Sequence, residues 1–461
     1  MDSLGAQSRE LLIVGGLSLL ALLTRVYGIW EWPITGDEYY TIRHAAERAS
    51  GIVGSAYYAL VLASQFIFGD ANWAARLPAV ALGVLSIPTF YLMSRSMLNR
   101  HAAIIGTLFV ILSEWHLFHS QLARFYSGVF LFGALSYHLY YLSLTKEKYI
   151  YIILFFVSAL VAVSFHPTAI LVVVSCGAYS AFLTWYASGQ LFAFSEKIAK
   201  IHLSVCAVAG ILVSPKFFGI MESWGMGLNQ VGIDDLRTML GVVENMEVVV
   251  FVSAMLGLAY LYRKDTSKFY LFAFLAVIPL FAVFIFSVFM PPSRPRYMFC
   301  ALPIFFALSG FICAETATGL KNARIANRSV ALVISSVLLV SFLSYYLGKE
   351  SLDIKDPINF VKEKYEEGDD VVVFGPSTRY NFDGTVDVNM VYSKKLWRKG
   401  LIPVAKREGR AWIIVDTYRT APLRKDLENW LMENASLKWR KKETRFDYTQ
   451  RGYEVWVERE E

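Results

Sequence analysis

The feature that most constrains this chain is a succession of apolar runs, each near the ~20 residues a helix needs to cross a hydrocarbon core. About eleven are readable, at 11–29, 73–93, 102–118, 122–142, 149–165, 168–186, 201–218, 248–262, 269–289, 298–314 and 330–347. Backbone polar groups cannot be left unpaired in hydrocarbon, so such runs must be helices. The sequence therefore predicts a polytopic α-helical membrane protein of about eleven spans. No convincing small-residue cleavage site follows the first run, which reads as a retained span rather than a removed signal peptide.

Charge sets the expected orientation. With the N-terminus in the cytoplasm and the spans alternating, the inner connections carry Arg95 and Arg100, Lys146 and Lys148, Lys197 and Lys200, then Arg263, Lys264 and Lys268, then Lys321, Arg324 and Arg328. Every inner connection is then basic, the positive-inside pattern. The outer segments become 30–72, 119–124, the turn at His166 and Pro167, 219–247, 290–296 and everything after Leu347. The net charge of +6 is accounted for by these basic connections, so no nucleic-acid partner is implied. The cysteines Cys176, Cys206, Cys300 and Cys313 all lie in apolar runs and read as small buried hydrophobes.

The tail has another character. The whole chain is only 18% charged, yet 22 of its 44 Lys and Arg fall after Leu347, and a soluble domain averages about 25% charged. Helical spacing at 356–367, 394–407 and 423–433 alternates with strand-like runs at 371–374, 412–415 and 453–457. That alternation predicts a small α/β domain with a mainly parallel sheet. The expected division is a membrane module, 1–348, with an outer loop at 30–72, and a soluble domain, 349–461.

Several polar residues gather on the outer face. Asp37 and Glu38 follow the first span within Pro33-Ile34-Thr35-Gly36-Asp37-Glu38-Tyr39-Tyr40. The plain reading is a solvated turn with a helix cap, since Thr35 and Asp37 both suit caps. The functional reading is a carboxylate that acts as general base on a hydroxyl, holds a divalent cation, or does both across the pair. Arg124 opens the fourth run, with Tyr126 after it and His116, His119 and Gln121 before it. An Arg there snorkels to headgroups or binds phosphate. Arg294, Arg296 and Tyr297 open the tenth run behind prolines that stiffen the loop, and guanidinium forks suit a phosphate ester. Arg25, Glu114, His166 and Lys216 are accessory candidates by position near span ends or within a span. Asp234 and Asp235 read as solvated loop residues, and Asn434-Ala435-Ser436 fits an N-glycosylation acceptor.

The order of these features resembles the GT-C superfamily of membrane glycosyltransferases, in its protein mannosyltransferase-like and aminoarabinose transferase-like branch. The resemblance covers roughly residues 10–310. It implies inverting transfer of a monosaccharide from a polyprenyl-phosphate donor to a hydroxyl acceptor (glycan, protein or lipid) on the non-cytoplasmic side, with mannose the sugar by family weight. By position it assigns Asp37 as base with Glu38 its neighbour, and Arg124, Tyr126, Arg294, Arg296 and Tyr297 to the lipid phosphate. Many members carry a second carboxylate just before the Arg of the fourth-span motif, where this chain has His119 and Gln121. If a divalent cation is a cofactor, Asp37, Glu38 and His119 are its candidate ligands. The Trp-Trp-Asp-Tyr-Gly motif of oligosaccharyltransferases does not occur in the tail, which argues against en bloc transfer to Asn. A transporter or flippase of a lipid-linked substrate is the rival class, and it calls for broken helices and charges at mid-membrane depth.

Overall fold

The computed structural model describes residues 2–32, 34–47, 55–186, 194–208, 240–243, 246–289, 295–318, 335–346, 355–374, 388–391, 410–416, 424–444 and 450–458. The helices in chain order are α1 (Asp2–Val26), α2 (Gly36–Ala46), α3 (Ser55–Phe68), α4 (Asn72–Met97), α5 (Arg100–Leu112), α6 (Glu114–Gln121), α7 (Tyr126–Lys146), α8 (Tyr149–Phe165), α9 (Ile170–Trp185), α10 (196–208), α11 (Val248–Lys264), α12 (Thr266–Phe289), α13 (Leu302–Thr318), α14 (Ser335–Tyr346), α15 (Lys355–Lys364) and α16 (Arg424–Asn434). The chain forms two compact units. One holds Met1–Tyr27, Arg48–Gly69 and Ala74–Phe342; the other holds Gly28–Glu47, Asp70–Trp73 and Leu343–Glu461.

The first unit is helical, and each expected apolar run is helix over most of its described part. The described residues do not confirm eleven full spans. Among the described residues, Asn72–Met97, Pro167–Trp185 and Thr266–Ile285 are long and apolar enough to cross a membrane, and the bent pair α5–α6 makes a fourth if taken as one. Shorter apolar helices accompany them, among them Tyr149–Phe165 and Leu302–Thr316. Two local causes shorten the runs. The third breaks at Ser113, and the fourth starts only at Tyr126 because 122–125 form a turn. The stretch 30–72, expected as a loop, contains the helices α2 and α3.

Close backbone approach holds these helices together, as expected where lipid offers no hydrophobic drive between them. A Cβ on Gly310 would lie 2.5 Å from the Ala102 carbonyl and 2.6 Å from the Gly106 nitrogen, so α13 and α5 meet backbone to backbone. Hydroxyl contacts add specificity: Tyr140 to Ser180 at 2.7 Å, Ser136 to Ser158 at 3.0 Å, and Ser143 to His202 at 2.8 Å. At the end expected to be cytoplasmic, Glu10 pairs with Arg95 at 2.8 Å and accepts from the Tyr91 hydroxyl at 2.6 Å, tying α1 to α4. Glu315 of α13 pairs with Lys264 of α11.

The second unit carries a five-stranded sheet in the order β2-β1-β3-β5-β4, with β1 Asp370–Phe374, β2 Val388–Val391, β3 Ala411–Asp416, β4 Ala435–Thr444 and β5 Gln450–Glu458. β1 runs parallel to β2 and β3, whereas β5 is antiparallel to β3 and β4. The sheet is mixed rather than mainly parallel. Side-chain alternation gives it two apolar faces. Val371, Val373 and Ile414 pack with Ile358 and Val361 of α15, and Val372, Ile413 and Trp456 pack with Leu431 of α16. The helix expected at 394–407 lies outside the described residues.

Candidate functional site: a basic and aromatic cluster

The turn between α6 and α7 is built from Gln121 onward. The Gln121 amide nitrogen lies 3.0, 3.1 and 3.1 Å from the carbonyls of Thr24, Arg25 and Tyr27. It thus closes the C-terminal end of α1, whose last carbonyls have no partner in their own helix. The backbone then turns tightly, with Arg124 N–H donating to the Leu122 carbonyl at 2.6 Å, and Phe125 and Tyr126 follow, both buried.

Two arginines far apart in sequence converge here. The Arg124 guanidinium lies 4.4 Å from the Phe125 ring centre, and that of Arg296 lies 5.6 Å from the Tyr126 ring centre. Arg296 and Tyr297 enter on a short 3-10 helix, Pro295–Cys300. The His166 ring joins the two halves, stacked on Phe125 at 5.0 Å and on Tyr297 at 5.5 Å. Its Nδ1 accepts from the Thr168 N–H at 3.3 Å. Burial above all, with the charges of Arg124 and Arg296 acting in the same sense, holds its pKa down to about 3. His166 is thus a neutral packing ring at ordinary pH. His119, on α6, packs on Tyr126 at 4.7 Å and on Phe299 at 4.8 Å. Tyr58 of α3, which the sequence did not single out, also feels the Arg124 charge.

The other candidates fall into place separately. Arg25 is fully buried beside His116. Glu114 opens α6 and accepts from the Ser341 hydroxyl at 3.3 Å. A carboxylate not anticipated, Glu247, sits just before α11 and accepts from the Ser113 hydroxyl at 3.0 Å and the Glu114 N–H at 2.8 Å. Its sequence signal was present, a carboxylate abutting an apolar run. Lys216, Arg294, Asp234 and Asp235 lie outside the described residues.

In the second unit, Thr35 caps α2. Its hydroxyl accepts from Glu38 N–H at 3.4 Å, and the buried Glu38 carboxylate accepts from Thr35 N–H at 2.9 Å. This reciprocal capping box engages Glu38, while Asp37 stands half-buried in the first turn. Among the described residues no group of three or more His, Cys, Asp or Glu side chains converges as metal ligands do.

The bundle contains helices long and apolar enough to cross a membrane, and its fold is the GT-C fold that the sequence resemblance implied. Its backbone is similar to that of ArnT from Cupriavidus metallidurans bound to undecaprenyl phosphate, with TM-score 0.54 and 12% identity over 98% of both chains. It is also similar to the archaeal oligosaccharyltransferase AglB from Archaeoglobus fulgidus in complex with an inhibitory peptide and a dolichol-phosphate, with TM-score 0.58 and 11% identity over 96% of this chain and 74% of that one. An Archaeoglobus fulgidus oligosaccharyltransferase structure in complex with Zn and sulfate gives TM-score 0.54 at 11% identity, over 88% of this chain and 68% of that one. By sequence, no protein family and no curated protein matches the chain.

Proposed function

We propose that the chain is an inverting glycosyltransferase that moves one sugar from a polyprenyl-phosphate donor to a hydroxyl acceptor on the non-cytoplasmic side of the membrane. The observation that carries this reading is the convergence of Arg124 and Arg296 on one aromatic cluster, in a fold shared with proteins whose structures hold undecaprenyl phosphate or dolichol-phosphate. The proposed topology keeps eleven spans, a cytoplasmic N-terminus and an extracytoplasmic domain from about residue 349. Mannose remains the first sugar to try.

In the proposed reaction Asp37 takes the proton of the acceptor hydroxyl. The oxygen then bonds to the anomeric carbon as the bond from that carbon to the phosphate oxygen breaks. A single displacement inverts the anomeric centre. The departing polyprenyl phosphate gains charge, which Arg124 and Arg296 offset with Tyr126 and Tyr297 beside them; fixed charges help most where charge develops. Arg294 and Lys216 are proposed to add to that field. Glu38 supports Asp37 by fixing the start of α2.

The test is sugar transfer in membranes from a panel of radiolabelled polyprenyl-phosphate sugars, with and without chelator. Removing a general base commonly costs about 10²–10⁴ in rate, so Asp37→Asn is expected to lose turnover on that scale. Glu38→Gln, able to complete the same capping box, is expected to keep most of it. Normal turnover in a folded Asp37→Asn protein would end the base assignment. Among the described residues the bent pair α5–α6 favours a transporter, and absence of transfer from every donor by a folded wild type would shift the reading there.

A further inference from the structure

The run 102–118 reads as one continuous helix, and the structure breaks it at Ser113 with a bend of 58° between α5 and α6. In an unbroken helix Glu114 N–H would donate to the Val110 carbonyl, four residues back. Both halves of that lost hydrogen bond are satisfied by polar side chains from other elements. Arg25 of α1 donates through Nη2 to the Val110 carbonyl at 3.2 Å. Glu247, ahead of α11, accepts the Glu114 N–H at 2.8 Å. Glu247 takes the Ser113 hydroxyl as well, at 3.0 Å. On the other side of the break, Arg25 Nη2 lies 2.9 Å from His116 Nδ1, and His116 Nε2 lies 3.2 Å from the Ser86 hydroxyl.

Two further observations separate this arrangement from a chance defect. A buried helix break with no replacement partners would be expensive, because an orphaned N–H or carbonyl retains its full desolvation cost. Here each is matched by a side chain of the right polarity. The Glu247 backbone also has φ of 54°, a region that residues other than Gly rarely adopt. Such strain persists only where the surroundings over-determine it.

We infer that Glu247 and Arg25 are positioning residues for the basic and aromatic cluster: together they replace the missing backbone hydrogen bond and set the direction in which α6 leaves the break. α6 ends at Gln121, immediately before the turn that carries Arg124. An eight-residue helix is about 12 Å long at 1.5 Å per residue, so a change of about 10° at the break moves its far end by about 2 Å. That displacement exceeds the tolerance of a site that must hold a phosphate between two guanidinium groups. The functional consequence rests on the proposed phosphate role of the cluster; the positioning itself does not.

The experiment uses the full chain in lipid nanodiscs, labelled with ¹⁵N-histidine. His119 reports the placement of α6, because its ring packs on Tyr126 and Phe299, and its signal is assigned with His119→Asn. Binding of undecaprenyl phosphate is measured in parallel. Glu247→Ala is expected to move the His119 signal and weaken binding at least tenfold. If that protein does not fold, Glu247→Asp, one methylene too short to reach, replaces it with the same expectation. Glu247→Gln retains an acceptor oxygen and is expected to restore both readouts. An unmoved His119 signal in the Ala or Asp variant overturns the inference, and so does a moved signal with unchanged lipid binding. If the wild type binds no undecaprenyl phosphate, the proposed function falls, and the His119 signal alone then decides the positioning.

Discussion

At the scale of single residues, Glu247 shows how environment sets chemistry. Burial pushes its pKa up to about 8 from the ordinary 4.5, against the pull of the hydrogen bonds from Ser113 and Glu114. A raised acid binds its proton more tightly when folded. Its contribution to stability is therefore fully present below about pH 4.5 and is lost as pH rises through about 8. Thermal unfolding of the wild type from pH 6 to 9 should show a falling transition temperature that Glu247→Gln, which carries no proton to lose, shows less of. Parallel profiles for the two proteins would contradict this. His166 behaves in the opposite way. Its pKa is held down to about 3, so it stays neutral in the folded protein and its stabilising effect fades as pH falls below about 6.5.

At the scale of elements, packing is governed by glycine. Gly310 and Gly106 let α13 and α5 touch through their backbones, and a Cβ on Gly310 meets atoms that cannot move aside. Gly310→Ala should lower the thermal midpoint in detergent by several degrees, consistent with the roughly 1–3 kcal/mol cost of overpacking. Gly16→Ala, where a Cβ meets nothing within 4 Å, should leave it unchanged or raise it slightly. Helix propensity alone predicts the same small gain for both, so equal midpoints would refute the packing argument. Elements whose stability lies in their own sequence were legible. The run 149–165 is helical with the expected ends, and the strands at 371–374, 412–415 and 453–457 lie inside β1, β3 and β5. Elements decided by partners were not. The break at Ser113 sits in an unbroken apolar run and depends on Arg25 and Glu247, which come from other elements. β4, with Lys438, Lys441 and Lys442, lacks an apolar pattern because it is an edge strand, where charge discourages further pairing. Of the candidate site, the sequence identified Arg124, Tyr126, Arg296 and Tyr297. It did not show that His166 would be a stacking ring between them or that Glu38 would be occupied by a cap.

At the scale of the whole molecule, the short segment that bears Asp37 belongs with the tail. Gly28–Glu47 and Leu343–Glu461 fall in one unit, and Trp32 packs on Tyr345 at 6.2 Å and Tyr346 at 6.4 Å between ring centres. Trp32→Ala should loosen α2, seen as faster hydrogen exchange over Gly36–Ala46, while exchange in α7 and α8 stays at wild-type rates. Unchanged exchange in α2 would show that the ring contacts do not hold it. The same pairing has a consequence for biosynthesis. Trp32 leaves the ribosome long before its aromatic partners Tyr345 and Tyr346. Until then Trp32 lacks the rings it packs on. A chain that ends before Tyr345 would carry the segment bearing Asp37 without those ring contacts.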